Sequence, residues 1–151
     1  MKKLFLLLFL SIILLNCAGS YYYAEPYLLD ISRTDLIDKI RKFKDENPEY
    51  KSITIESGIP EEYPKDHRGE LFYSFYFYLP EKEMIVHSVM NMSEQISDNP
   101  ANFAFTGVTK NKNLGGWKSI NTRDLSRKEN KEIKRMFETE ILSKLADWKR
   151  D

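Results

Sequence analysis

Few residues in this chain are typed and spaced for chemistry. The sequence holds two histidines. His67 stands in Asp66-His67-Arg68-Gly69, and a histidine beside an acid can serve as a general base. His87 is followed by Ser88, but neighbours along a strand point to opposite faces, so the two form no direct dyad. No Gly-x-Ser-x-Gly turn is present to raise a serine nucleophile. Two scattered histidines do not supply the three or four ligands of a zinc site. Glu61, Glu62 and Asp66 lack the spacing of a calcium loop and read as solvated loop charge. Gly115-Gly116-Trp117 has no Gly-Lys-Ser to cradle phosphate. The glycine pair permits a sharp turn, and the tryptophan could stack on a sugar or anchor a partner. The plainer expectation is a strand start with Trp117 in the core. No catalytic residue, metal or cofactor is assigned.

A binding surface is better supported. Residues 70–79 (ELFYSFYFYL) have the strongest β-character in the chain. Alternation places Leu71, Tyr73, Phe75, Phe77 and Leu79 on one face and Phe72, Ser74, Tyr76 and Tyr78 on the other. Pro80 to Glu83 is a turn, and residues 84–92 return as the partner strand. The short connection predicts a register: Leu79 opposite Met84, Phe77 opposite Val86, Phe75 opposite Ser88, Tyr78 opposite Ile85 and Tyr76 opposite His87. The first face is the more apolar and is expected to pack on helices. The second is amphipathic, and aromatic sheet faces stack on sugars or dock proteins. Tyr76, Tyr78, His87 and Trp117 are therefore the candidate ligand-binding residues. The competing expectation is that helices, loops or the tyrosine-rich N-terminal segment cover this face.

The elements that position these residues follow from pattern. Ser32 is an N-cap with Asp35 three residues on, and Ile31 and Leu36 suit a hydrophobic staple. Leu36, Ile37, Ile40 and Phe43 recur at helical spacing, and Asn47-Pro48 stops the helix. A strand is expected over 51–57, a polar loop over 58–69, a strand over 102–109, a turn at Asn111-Lys112-Asn113 and a short return over Trp117 to Ile120. Ser126 and Glu129 make a capping box for a last helix carrying Ile133, Met136, Phe137, Ile141, Leu145 and Trp148 on one stripe. Lys144, Lys149 and Arg150 near its end suit the helix dipole. The order α-β-β-β-β-β-α implies an α+β fold. The expected form is a two-layer sandwich, an antiparallel meander of about four to five strands with N- and C-terminal helices on one face. Residues 31–151 are expected to be a single domain.

The N-terminus carries an address. In MKKLFLLLFLSIILLN, Lys2 and Lys3 precede an apolar run from Leu4 to Leu15 broken only by Ser11. Twelve residues make a helix of roughly 18 Å, short of the ~30 Å hydrocarbon core, which fits a cleaved export signal. Leu14-Leu15-Asn16-Cys17 resembles the lipobox of bacterial lipoproteins, with Leu14 at the aliphatic position and Asn16 where Gly, Ala or Ser is usual. The resemblance covers about the first twenty residues. It implies that residues 1–16 are a signal peptide and that Cys17 is acylated and becomes the mature N-terminus. Residues 17–30 would then be a lipidated tether, anchored firmly because such proteins carry two or three acyl chains, palmitate among them. Ala18, in place of Asp, resembles an outer-membrane address. Tyr21, Tyr22, Tyr23 and Tyr27 are unusual in a free linker and, with Leu28 and Leu29, are expected to dock on the domain.

Composition narrows the function classes. The chain balances 23 basic against 23 acidic residues, and loss of Lys2 and Lys3 leaves the mature form at −2. That balance gives no general pull toward nucleic acid. With one cysteine, no intramolecular disulfide can form. The expectation is a membrane-anchored envelope lipoprotein serving as a non-enzymatic binding or interaction module, with an envelope protein as partner. The alternative is an envelope hydrolase or carbohydrate-binding module acting on glycan or peptide, with His67 or His87 as base.

Overall fold

The computed structural model describes residues 23–51, 62–63 and 71–151. The signal segment 1–16, Cys17, the tether up to Tyr22, residues 52–57 of the expected strand, and Glu61, Asp66 and His67 lie outside the described residues.

The described elements are β1 (Glu25–Leu29), α1 (Arg33–Glu46), β2 (Glu62–Tyr63), β3 (Phe72–Leu79), β4 (Met84–Asn91), β5 (Ala101–Thr109), β6 (Lys118–Ser119), α2 (Arg127–Met136) and β7 (Trp148–Arg150). All strand pairs are antiparallel, in an open sheet of order β2-β3-β4-β5-β1-β7 with β6 beside β5. The β3–β4 hairpin takes the expected register at all five pairs. Its connection is a single 3-10 turn, Pro80–Lys82, and Glu83 at φ 48° reverses the chain.

The ends of the chain depart from expectation. The segment read as a tether over 17–30 contributes β1, which lies between β5 and β7. Tyr27 and Leu29 are fully buried there, and the short run Tyr27-Leu28-Leu29 needed a sheet edge to reveal its alternation. The stripe that carried Trp148 onto the last helix is also corrected. Ala146 turns to extended backbone, φ −166° and ψ 174°, and Trp148–Arg150 forms β7 against β1. Trp148 meets Tyr27 edge-on at 5.4 Å, so its burial comes from a strand partner rather than a helical stripe. The sheet is therefore a meander only from β2 to β5, and the two chain ends extend it. Leu71, expected on the inward face, is exposed because β3 begins only at Phe72.

Both helices start where their caps direct. Ser32 Oγ accepts from the Asp35 amide and donates to the Asp35 carboxylate. At α2 the capping box closes in both directions: Ser126 Oγ accepts from the Glu129 amide at 3.2 Å, and the Ser126 amide donates to Glu129 at 2.8 Å. After Met136 the helix widens into a π turn, Phe137–Leu142, before a last α turn, Ser143–Leu145. One apolar cluster joins Leu36, Ile40 and Phe43 of α1 to Phe75, Phe77, Phe103 and Phe105 of the sheet and to Ile133, Phe137 and Ile141. Phe137 sits at its centre, with ring contacts to Tyr27, Phe77, Phe103 and Phe105. The inward alternation of β3, β4 and β5 supplies this cluster, which leaves their other face to carry the polar and aromatic residues.

Candidate functional site: an aromatic and histidine cluster on the outer sheet face

Strand pairing sets Tyr76 directly across from His87, and their rings stack at 5.1 Å with 25° between planes. Trp117 closes the group, 6.0 Å from Tyr76 and 5.6 Å from His87. All three rings are half-buried. Trp117 is thus not in the core, contrary to the plainer expectation. It precedes β6 rather than lying within a strand, so strand alternation does not govern its direction. The turn before it holds Leu114 at φ 54° and Gly116 at φ 64°. Those left-handed residues swing the chain so that Trp117 lies over the outer face. Tyr78 lies two residues along the same face opposite Ile85, also half-buried, and makes no ring contact with the cluster among the described residues.

His87 is fixed by two hydroxyls. Pairing shifts between His87 and Ser88, with His87 opposite Gly107 and Ser88 opposite Phe105, which leaves Thr106 as the extra residue of a β-bulge. The bulge turns Thr106 toward the imidazole, its Oγ1 2.7 Å from His87 Nδ1 and 3.0 Å from the His87 carbonyl. Ser74 Oγ lies 3.1 Å from His87 Nε2. A threonine hydroxyl has one proton. Donated to the His87 carbonyl, it leaves Oγ1 to accept from Nδ1–H. In the neutral imidazole Nε2 then accepts from the Ser74 hydroxyl. Ser74, Thr106 and the close approach behind them escaped the sequence reading. One signal was available, since a glycine inside a strand pattern marks a bulge or a backbone contact. Gly107 is both: a Cβ there would lie 2.7 Å from the Lys118 carbonyl oxygen.

The arrangement can stack and hold. A ring with both nitrogens engaged, stacked on Tyr76 and flanked by Trp117 on the same side, forms with them a rigid polar-edged aromatic surface of the kind that meets sugars and protein side chains. Proton transfer would run through the hydroxyl of Ser74, a residue only 3% exposed. Phe72, Ile85 and Val89 on the same face are buried as well, so the partly exposed outward side chains of β3 and β4 are Tyr76, Tyr78, His87 and Asn91. Glu62, one of the acidic loop residues, is taken up by Arg41, which donates to it at 2.9 and 3.0 Å. Among the described residues no group of three or more His, Cys, Asp or Glu is placed to hold a metal ion, and no helix is long and apolar enough to cross a membrane. Set against protein-family models, curated proteins and solved structures, the chain finds no match.

Proposed function

We propose that this protein is a lipid-anchored lipoprotein of the bacterial envelope, held through Cys17 at the outer membrane, whose domain binds a partner protein rather than catalysing a reaction. The observation that carries the binding reading is the convergence of Tyr76, His87 and Trp117, three half-buried rings within 5.1–6.0 Å of one another. Aromatic residues dominate protein interfaces because they bring a large contact area at low entropic cost. The anchor rests on the apolar run ending at the sole cysteine. The finer architecture, two layers with both helices on one sheet face, is supported by the single apolar cluster that α1, α2 and the inward residues of the sheet share.

A hydrolase is the second reading, and the Ser74–His87–Thr106 row is the observation behind it. Nucleophile, base and orienting group stand in the required order. The 3% exposure of Ser74 weighs against substrate reaching it.

Metabolic labelling with an alkyne fatty acid, followed by affinity purification of the full-length chain, tests the proposal. Label is expected on the wild type and absent from Cys17→Ser. A co-purified envelope protein is expected to be lost from Trp117→Ala. Label retained by Cys17→Ser contradicts the anchor. A serine-directed fluorophosphonate that modifies the wild type but not Ser74→Ala would replace binding with hydrolysis.

A further inference from the structure

We propose that a second site, distinct from the aromatic cluster, binds a small amphipathic carboxylate: an alkyl or aryl group bearing one anionic head. A cavity of about 480 Å³ opens where the far ends of β4 and β5 meet the start of α2, within the roughly 300–1,000 Å³ range of small-molecule pockets. Its floor is apolar. Met84 and Val108 come from the sheet, and Leu125 and Ile133 from the segment leading into and along α2.

The rim has a sign. Three lysines, Lys82, Lys110 and Lys118, stand against Glu129 and Glu132, leaving one net positive charge. The carboxylates are already committed. Glu132 accepts from Lys82 at 2.6 Å, and Glu129 holds the α2 capping box. Lys110 and Lys118 make no ion pair or side-chain hydrogen bond with the described residues. Strand register puts them together. Lys118 is paired with Val108, and Lys110 follows Val108 by two residues along the chain, so both extend the face that Val108 presents to the cavity.

Two ammonium groups that meet Glu129 only through space, with no direct ion pair among the described residues, stand beside an apolar floor and match a ligand with a carboxylate at one end and hydrocarbon at the other. The loop at the mouth leaves room for entry. Thr109 Oγ1 donates to the Gly115 carbonyl at 2.6 Å and accepts from the Asn111 amide, which ties the turn back. A Cβ at Gly116 would meet nothing within 4 Å. This site is independent of the aromatic cluster, and its failure would leave the protein-binding reading intact.

Equilibrium dialysis of radiolabelled octanoate against the full-length chain in zwitterionic nanodiscs, with empty nanodiscs subtracted, tests it. Saturable one-to-one binding is expected, weakened about tenfold or more in Lys110→Gln/Lys118→Gln. Both substituted side chains are exposed, so an unchanged circular-dichroism spectrum and thermal midpoint would show that the loss is not unfolding. Octanol, which keeps the apolar body, and butyrate, which keeps the head, are both expected to bind at least about tenfold more weakly. No binding above empty nanodiscs, equal binding in the lysine variant, or equal binding of octanol or butyrate would overturn the proposal.

Discussion

Ser88 is the least settled residue of the core. It faces inward between Phe75 and Phe105, fully buried, and its hydroxyl finds no hydrogen-bond partner among the described residues. A buried hydroxyl left unpaired costs roughly 1–3 kcal/mol. Ser88→Ala is therefore expected to stabilise the fold by about 1 kcal/mol, read as a higher urea midpoint at unchanged slope. A lower midpoint would mean the hydroxyl is satisfied after all. Its neighbour His87 shows the opposite economy, with both ring nitrogens engaged and the rings of Tyr76 and Trp117 at 5.1 and 5.6 Å. The pairing of His87 with Tyr76 was legible in the sequence, because a four-residue turn and an alternating pattern determine the hairpin register. Trp117, Ser74 and Thr106 were not. Trp117 follows a turn whose direction depends on two left-handed residues. Ser74 meets His87 diagonally, and Thr106 reaches it through a bulge that a single-strand pattern does not display.

At the scale of elements, the least regular segment is the π turn of the last helix. Widening there turns Glu138 onto Tyr27 and Arg150, with the Tyr27 hydroxyl donating at 3.0 Å and Arg150 at 2.7 Å. This carboxylate ties the helix to β1 and β7 together, and burial together with Glu138 holds the Tyr27 phenol well above its ordinary range. Glu138→Ala strands a buried tyrosine hydroxyl and leaves Arg150 with Glu25 at 3.6 Å. It is expected to cost roughly 2–3 kcal/mol, seen as a lower denaturation midpoint, with amide exchange rising first in β7. Uniform exchange across the sheet would contradict a local tie. Glu25 completes the same seam. Burial alone would raise its carboxyl, but hydrogen bonds from Asn121 and Lys134, with the charges of Lys134 and Arg150, bring it below its ordinary 4.5. A lowered native value means Glu25 contributes stability above pH 4.5, and that contribution drains away as pH falls through the native value. Glu25→Gln is expected to flatten the acid side of the stability profile below pH 4.5 while leaving its shape above unchanged. An acid limb as steep as the wild type's would assign the loss to other carboxylates. None of this seam was readable beforehand, since it joins the chain's two ends. The segment of β1 was expected to dock on the domain but not to pair as a strand, and β7 continued a helical period.

For the whole molecule, the central strands, both caps and the inward aromatic set followed from alternation and capping chemistry, which act over short stretches. The extension of the sheet by β1 and β7 is a long-range event and left little local trace. The sheet that results has one face committed to packing and one that carries the cluster of Tyr76, His87 and Trp117, while Lys110 and Lys118 line a separate cavity. If the protein is tethered through Cys17, that patch works at a membrane surface, where anchoring raises the effective concentration of any envelope partner. The most direct test is photocrosslinking in living cells, with a benzoylphenylalanine probe placed at Tyr78 of the full-length chain, beside the cluster but outside its ring contacts. One specific crosslinked envelope protein, lost when Trp117→Ala or Tyr76→Ala is added while the folded chain persists, is the predicted result. Crosslinks that persist in both variants, or none above background, would contradict a binding role for the aromatic cluster.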